Sequence, residues 1–357
     1  MIFLLVENFV FFGAILAVLA FIAAETVRFA VERQKVRLTP FALTRVYAAF
    51  ILLPPLLASW IVLAALLPET WLGAEVFRAA HVAPAHEWHL LSDLTAPLEP
   101  FLASATIVFL VTVIGFAAWK TFRGFSRIGR VVRLLEIETS APAPEKIALV
   151  EEIARRHRLE VGLVMSGQPL TFVWGFWRSK LILSSGLLNT LDERELRGVI
   201  EHEAAHHARR DNLLKLLLTG ASYLSPVFPL TRKLLRRQAE QIELVCDEIA
   251  AGATGQPLEI ASALVKVRRT FPAFEANPAL TSGFLSDDAP SIEPRVKRLV
   301  KLADQVPSAQ MSRKLAGKPF FEAFSLAALF AGSLAAILSL APLIVHQTAE
   351  TLIGFIK

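Results

Sequence analysis

Val199-Ile200-Glu201-His202-Glu203-Ala204-Ala205-His206-His207-Ala208-Arg209-Arg210-Asp211 is the stretch from which the rest of the chain is read. It contains H-E-x-x-H. On a helix, residues four apart share a face, so His202 and His206 can bind one metal ion together. Glu203 stands beside them, placed to take a proton from an activated water and carry it to a leaving amine. The stretch reads as helical: Thr190-Leu191-Asp192-Glu193 predicts a capping-box start, and Leu196, Val199 and Ile200 form an apolar stripe. His207 lies well round the helix from both imidazoles and reads as a bystander.

Two histidines do not complete a catalytic zinc site, which takes a third protein ligand and leaves one position for water. Gln241-Ile242-Glu243-Leu244-Val245-Cys246-Asp247-Glu248 supplies the candidate. Of Glu240, Glu243 and Glu248, only Glu243 has an aspartate four residues on. That spacing puts Glu243 and Asp247 on one helix face, where Asp247 can accept a hydrogen bond from a ligand imidazole and fix its tautomer. Glu248 falls off that face and is expected to matter little. Cys246, the single cysteine, excludes an internal disulfide and reads as a small packing residue.

The 357 residues are 54% apolar with a mean hydropathy of +0.51, too apolar for an ordinary soluble protein. Net charge is +5, but the basic residues cluster beside apolar runs. They point to membrane orientation, and direct nucleic-acid binding is not expected. The first apolar run, Ile2 to Ala24, is long enough to span a bilayer and lacks the basic start of a signal peptide. Glu7 and Asn8 near its start are close enough to the surface to snorkel. Val46 to Leu67 is a second span, expected to kink at Pro54-Pro55. Phe101 to Trp119 is a third and Phe324 to Val345 a fourth.

Arg28, Arg33, Lys35, Arg37 and Arg45 flank the first two spans, and Lys120, Arg123, Arg127, Arg130 and Arg133 follow the third. The 68–100 loop carries Glu69, Glu75, Glu87, Asp93 and Glu99 against Arg78 alone. The positive-inside rule then puts the HEAAH helix in the cytoplasm and the 68–100 loop and both termini outside. His81, His86 and His89 in that loop read as exposed histidines. Three parts result: residues 1–120 with three spans, a cytoplasmic region at 121–320, and residues 321–357 with the fourth span. In the cytoplasmic region, 143–157 predicts a helix, and Leu159 to Ser166, Leu170 to Trp174 and Lys180 to Ser184 predict strands. One strand edge is a candidate to receive an extended peptide. Leu213 to Leu230 is broken by Gly220, Ser222, Ser225 and two prolines. It reads as an amphipathic or re-entrant element that holds the site at the bilayer. Residues 271–290 read as a loop.

HEAAHHARRD followed by ELVCD, with three spans before the site and one after, resembles the BlaR/MecR-type antirepressor transducers, gluzincin metalloproteases of the membrane. The resemblance covers about residues 1–345. The HtpX and CAAX-protease type is a cousin with the same H-E-x-x-H, x4-D and E-x3-D pattern. It also carries a later His-Pro segment leading to Arg-Ile, where this chain has Ala289-Pro290 and Arg295-Val296. The resemblance implies a mainly α membrane protein of four spans, with a cytoplasmic α+β zincin-like domain between spans three and four. It makes His202, His206 and Glu243 ligands of one Zn2+ and Glu203 the general base. Asp247 becomes the partner that orients a ligand, Asp211 a second such partner, and Arg295 a further candidate.

The resemblance further implies a bacterial inner-membrane endopeptidase that cleaves a DNA-binding repressor, or itself, in response to an envelope signal. The β-lactam transducers continue into a penicillin-binding sensor domain. This chain ends at Lys357 without an S-x-x-K motif outside the membrane, so a signal would enter through the 68–100 loop, the bilayer or a separate sensor protein. Two alternatives are a housekeeping quality-control protease of HtpX type and a catalytically idle transmembrane receptor. An intact Glu203 argues against the receptor.

Overall fold

The computed structural model describes residues 2–36, 38–66, 141–176, 179–270 and 292–304, and helical positions 115 and 119. The third and fourth predicted spans, the 68–100 loop with its three histidines, and the 271–290 loop lie outside the described residues.

Two long helices open the chain, α1 (Ile2–Glu32) and α2 (Pro40–Leu66). Both are long and apolar enough to cross a membrane. They overrun the predicted spans on the basic side. Arg28 pairs with Glu25 at 2.9 Å and Glu32 at 2.6 Å, so the last turns of α1 satisfy their own charges. Thr39 caps α2 by accepting the Ala42 N–H at 3.2 Å, and Pro40 fits the first helical position. The helix runs on through Pro54 and Pro55. Val10, Ile15, Val18, Leu19, Ile22 and Leu56 stay exposed on this pair, a surface suited to lipid.

The second unit begins with α3 (Pro144–Arg156) and a small sheet: β1 (Glu160–Val164), β2 (Thr171–Trp174) and β3 (Lys180–Ser184). The order is β1-β3-β2, with β1 parallel and β2 antiparallel to β3. Glu160 pairs with Lys180, and Thr171 with Leu183. The predicted strands are therefore present, each trimmed by a few residues at most. A short helix, α4 (Ser185–Thr190), follows without a loop because the Ser184 hydroxyl caps it. Gly186 is required there: its N–H donates to Ser166 O at 2.8 Å, and a Cβ at this position would collide with the Gly167 carbonyl.

The HEAAH helix is α5 (Glu193–Arg209). Its cap lies two residues later than the sequence suggests. Asp192 accepts from Arg194 and Glu195 N–H, and the Glu195 carboxylate accepts the Asp192 N–H at 2.9 Å. Thr190 instead closes α4 by bonding Gly186 O at 2.7 Å. Once Ser184 nucleates its own helix, Thr190 is already helical and unable to cap the next.

Arg210 adopts left-handed backbone (φ 57°, ψ 40°), ending α5 and starting α6 (Asp211–Tyr223). A turn at 224–227 reverses the chain into α7 (Phe228–Thr254). Leu213 to Leu230 is thus a helical hairpin rather than one crossing. At about 1.5 Å per residue α6 is near 20 Å long, short of a bilayer core. Its tip, Pro226, lies beside Gly13 of α1 and Ala58 of α2. Leu214, Leu218, Leu234, Ile242 and Cys246 form one buried cluster with Ala24, Tyr47, Ala48 and Ile51 of the apolar pair.

Two more helices complete the described residues, α8 (Pro257–Thr270) and α9 (Ile292–Ala303). They pack with α7 through Ala250, Ala251, Ile260, Leu299 and Leu302. A Gly186→Ala substitution is expected to destabilise the domain by about 1 to 3 kcal/mol, the usual cost of overpacking, because the obstacle is backbone that cannot rotate away. Thermal denaturation monitored by circular dichroism checks this; an unchanged midpoint would refute it.

Candidate metal centre

The centre forms where α5 crosses α7, with α6 and α9 closing the sides. His202 and His206 project from α5. Their Nε2 atoms lie 3.2 Å apart with the rings edge to face. Glu243 of α7 faces both: Oε2 is 3.4 Å from His202 Nε2, and Oε1 is 3.6 Å from His206 Nε2.

Each imidazole turns its other nitrogen to a carboxylate. His206 Nδ1 is 3.0 Å from Asp211 Oδ2. His202 Nδ1 is 2.9 Å from Asp247 Oδ1, off the ideal hydrogen-bond line. With the Nδ1 protons on the carboxylate side, both Nε2 lone pairs point inward. Two such nitrogens repel unless positive charge sits between them. A tetrahedral zinc with Zn–N and Zn–O bonds near 2.0 to 2.1 Å needs donor–donor edges of about 3.3 Å. The two nitrogens at 3.2 Å lie close to that value, and the two Glu243 oxygens approach one imidazole each, at 3.4 and 3.6 Å. His202, His206 and Glu243 therefore fit the ion in donor type, number and spacing.

The site is mostly buried and strongly charged. Asp247 is fully buried, and His202, Glu203 and Asp211 nearly so. Burial pushes the Glu203 carboxyl upward, with the neighbouring imidazoles pulling the other way. Burial opposes a proton on His202, but the hydrogen bonds to Asp247 and Glu243 win and raise its pKa to about 10. Burial likewise works against ionised Glu243, Asp247 and Asp211. Arg295 overrides it for the first two and holds Glu243 well below the usual carboxylate range. Arg209 and His206 override it for Asp211.

Of the residues singled out in the sequence, His202, Glu203, His206, Asp211, Glu243, Asp247 and Arg295 all come to this one place. Arg295 donates from Nε and Nη2 to Asp247 Oδ2 and Oδ1, both at 2.7 Å, and its Nη1 is 3.0 Å from Glu243 Oε2. Cys246 is buried as expected. Its Sγ lies 3.4 Å from His206 Nδ1 and 3.5 Å from Asp211 Oδ2, and burial pushes the thiol well up, so it stays protonated. His207 is not among the converging donors.

Arg209 escaped the sequence analysis. It is buried, and its Nε donates to Asp211 at 3.2 Å. Its place two residues before Asp211 was the available signal. Asn212 escaped as well. Its amide donates to Val173 O at 2.8 Å and Gly175 O at 3.3 Å, tying edge strand β2 to the corner that carries Asp211.

Glu248, expected to matter little to the metal or to activity, has a structural partner that the sequence did not show. Its carboxylate is buried and accepts from Arg298 Nε at 2.7 Å, because α9 covers α7 at that point. Glu248→Gln would leave Arg298 facing a neutral amide; since Arg298 is 35% exposed, the cost is expected at about 1 to 3 kcal/mol, below that of a fully buried pair. Urea unfolding should show that loss while zinc content stays unchanged. A midpoint equal to the parent's would contradict it.

The sequence model of Peptidase family M48 matches residues 145–254, from α3 to the end of α7. The Protease HtpX homolog of Ralstonia pickettii is 30% identical over 220 residues, covering 46% of this chain and 76% of that protein. The homologs of Thermococcus kodakarensis and Pyrococcus abyssi are 26% and 27% identical, covering 75% and 76% of those proteins. No solved structure matches. The HtpX relatives and the apolar helices suggest an inner-membrane protein. With its H-E-x-x-H helix, its third carboxylate and this kinship together, the chain belongs to the M48 family and is a zinc-dependent membrane metallopeptidase.

Proposed function

We propose that this chain is an endopeptidase that cuts proteins at the cytoplasmic face of the bacterial inner membrane, in the quality-control manner of the HtpX type. His202, His206 and Glu243 hold the zinc ion in this reading. The observation that carries it is the convergence of one donor atom each from His202, His206 and Glu243 to within 4.8 Å of one another. Zinc bound there supplies a Lewis acid that polarises the scissile carbonyl and acidifies the attacking water.

The chain's own residues do the rest. Glu203, whose burial favours the protonated form, takes a proton from the water and passes it to the departing amine. Asp247 and Asp211 keep the Nδ1 protons of His202 and His206 in place and so keep each Nε2 turned to the metal. β2, an edge strand packed against α5, offers free backbone groups to an extended substrate. Its Val173 carbonyl is already taken by Asn212, so pairing uses the remaining positions.

The α6–α7 hairpin lies along α1 and α2 up to Gly13 and Ala58, which supports a re-entrant element that holds the centre at the bilayer. The charge asymmetry of the flanks supports the cytoplasmic side.

A second reading, a regulatory protease that cleaves a repressor-like protein, has one observation of its own. Glu25 of α1 forms ion pairs with Arg237 and Lys233 of α7, the helix that carries Glu243. Movement of the first span would therefore reach the metal centre.

Purified protein should hold about one zinc per chain; His202→Ala should lose most of it, and Glu203→Gln should keep the metal and lose proteolysis. Full activity in Glu203→Gln would end the mechanism. In cells carrying Glu203→Gln, the quality-control reading expects many damaged membrane proteins to accumulate uncut, and the regulatory reading one defined protein. A fusion reporter near residue 260 should read cytoplasmic; an external signal there would sink the topology.

A further inference from the structure

Arg295 is the third arm of the metal centre, and it comes from outside residues 145–254 covered by the family model. It sits on α9, and its side chain is 14% exposed. One guanidinium holds both oxygens of Asp247 at 2.7 Å and, through Nη1, one oxygen of Glu243 at 3.0 Å. Both Glu243 oxygens lie close to the imidazole nitrogens, Oε2 near His202 and Oε1 near His206. Left alone, such a carboxylate can grip an ion with both oxygens.

A cation beside a metal ligand is electrostatically unfavourable for binding a dication. Arg295 does more than keep the carboxylates ionised, because its Nη1 competes with the ion for Glu243 Oε2. Nor is Arg295 needed to dock α9. Arg298 pairs with Glu248, and Leu299 and Leu302 are buried against α7 and α8. The contact of Arg295 with Glu243 therefore has a purpose of its own.

We propose that Arg295 is a positioning residue that engages Glu243 Oε2, so that Glu243 offers the metal a single oxygen and the fourth position stays open for water. The proposal rests on Glu243 being a ligand. The planar fork is essential to it, because one group must bridge Asp247 and Glu243 at fixed angles, which a lysine ammonium cannot do.

The test uses full-length protein with Arg295→Gln and Arg295→Lys. Zinc per chain is measured, coordination number is read by zinc X-ray absorption, and kcat and KM are followed on fluorescent casein. Both variants are expected to keep about one zinc and to show one more oxygen neighbour than the parent. In both, kcat should fall about 10 to 100-fold, the scale of changes behind a ligand, with KM little changed. If Arg295→Gln fails to fold, Arg295→Lys keeps the buried charge and the same spectroscopic reading. An unchanged coordination number in the folded variant overturns the proposal, as does loss of zinc. Full recovery of kcat by lysine also overturns it, since charge alone would then suffice. Retention of zinc by His202→Ala would strike the ligand assignment instead, which separates the two failures.

Discussion

Two imidazole nitrogens held 3.2 Å apart, both turned inward by carboxylates behind them, form the constraint on which the rest of the structure depends. Such a pair is repulsive without positive charge between its members, and helix spacing alone does not hold it. It is held because Asp211 and Asp247 pull on the far sides of the rings from two other helices. Those aspartates are buried, where ionised carboxylates persist only when paired. Arg209 and Arg295 provide the pairing. The three layers, imidazole, carboxylate and guanidinium, thus form one connected network, in which Asp247 has both His202 and Arg295 as partners.

The helices are arranged to deliver those layers. The left-handed Arg210 turns the chain sharply enough for Asp211 to reach back to His206, five residues earlier. α7 is long because it has three tasks along its length. Its first half packs on the apolar pair through Leu234, its middle presents Glu243 and Asp247, and its end meets α9 through Glu248 and Ala250. The peptidase unit and the apolar helices thus share a core instead of being joined by a tether. Cys246 illustrates this: it is buried in the cluster with Tyr47 and Ile51 while its sulfur lies against His206.

What the sequence made legible was whatever local spacing governs. The H-E-x-x-H pair and the Glu243–Asp247 pair follow from the four-residue helical repeat, and the three strands follow from β-branched alternation. The capping box was placed two residues early because Thr190 and Asp192 offer similar chemistry. Only the Ser184-capped helix before them decides between the two. The ion pair of Glu248 was hidden for a different reason. Its partner Arg298 is 50 residues away, and local periodicity carries no information about which face of α7 a distant helix will cover. Arg209 was hidden by its company, one basic residue in a run of basic residues, until packing buried it.

The charges around the centre also bear on the base role proposed for Glu203 in so buried a place. Glu203, Glu243, Asp247 and Asp211 are four carboxylates, and Arg209 and Arg295 are two guanidiniums. Fully ionised, the carboxylates exceed the guanidiniums by two charges, which is the charge of one zinc ion. The same surplus is visible in His202, whose proton the surrounding carboxylates hold so firmly that its pKa rises to about 10. His202, His206 and Glu243 would hold a divalent cation in place of that proton, and the cluster, Glu203 included, would then be neutral. The rest of the site would then carry one net positive charge, which pulls the Glu203 carboxyl down while its burial pushes it up. A carboxylate held between those two influences is suited to accept a proton from an acidified water and release it to an amine, which is the transfer that peptide hydrolysis requires.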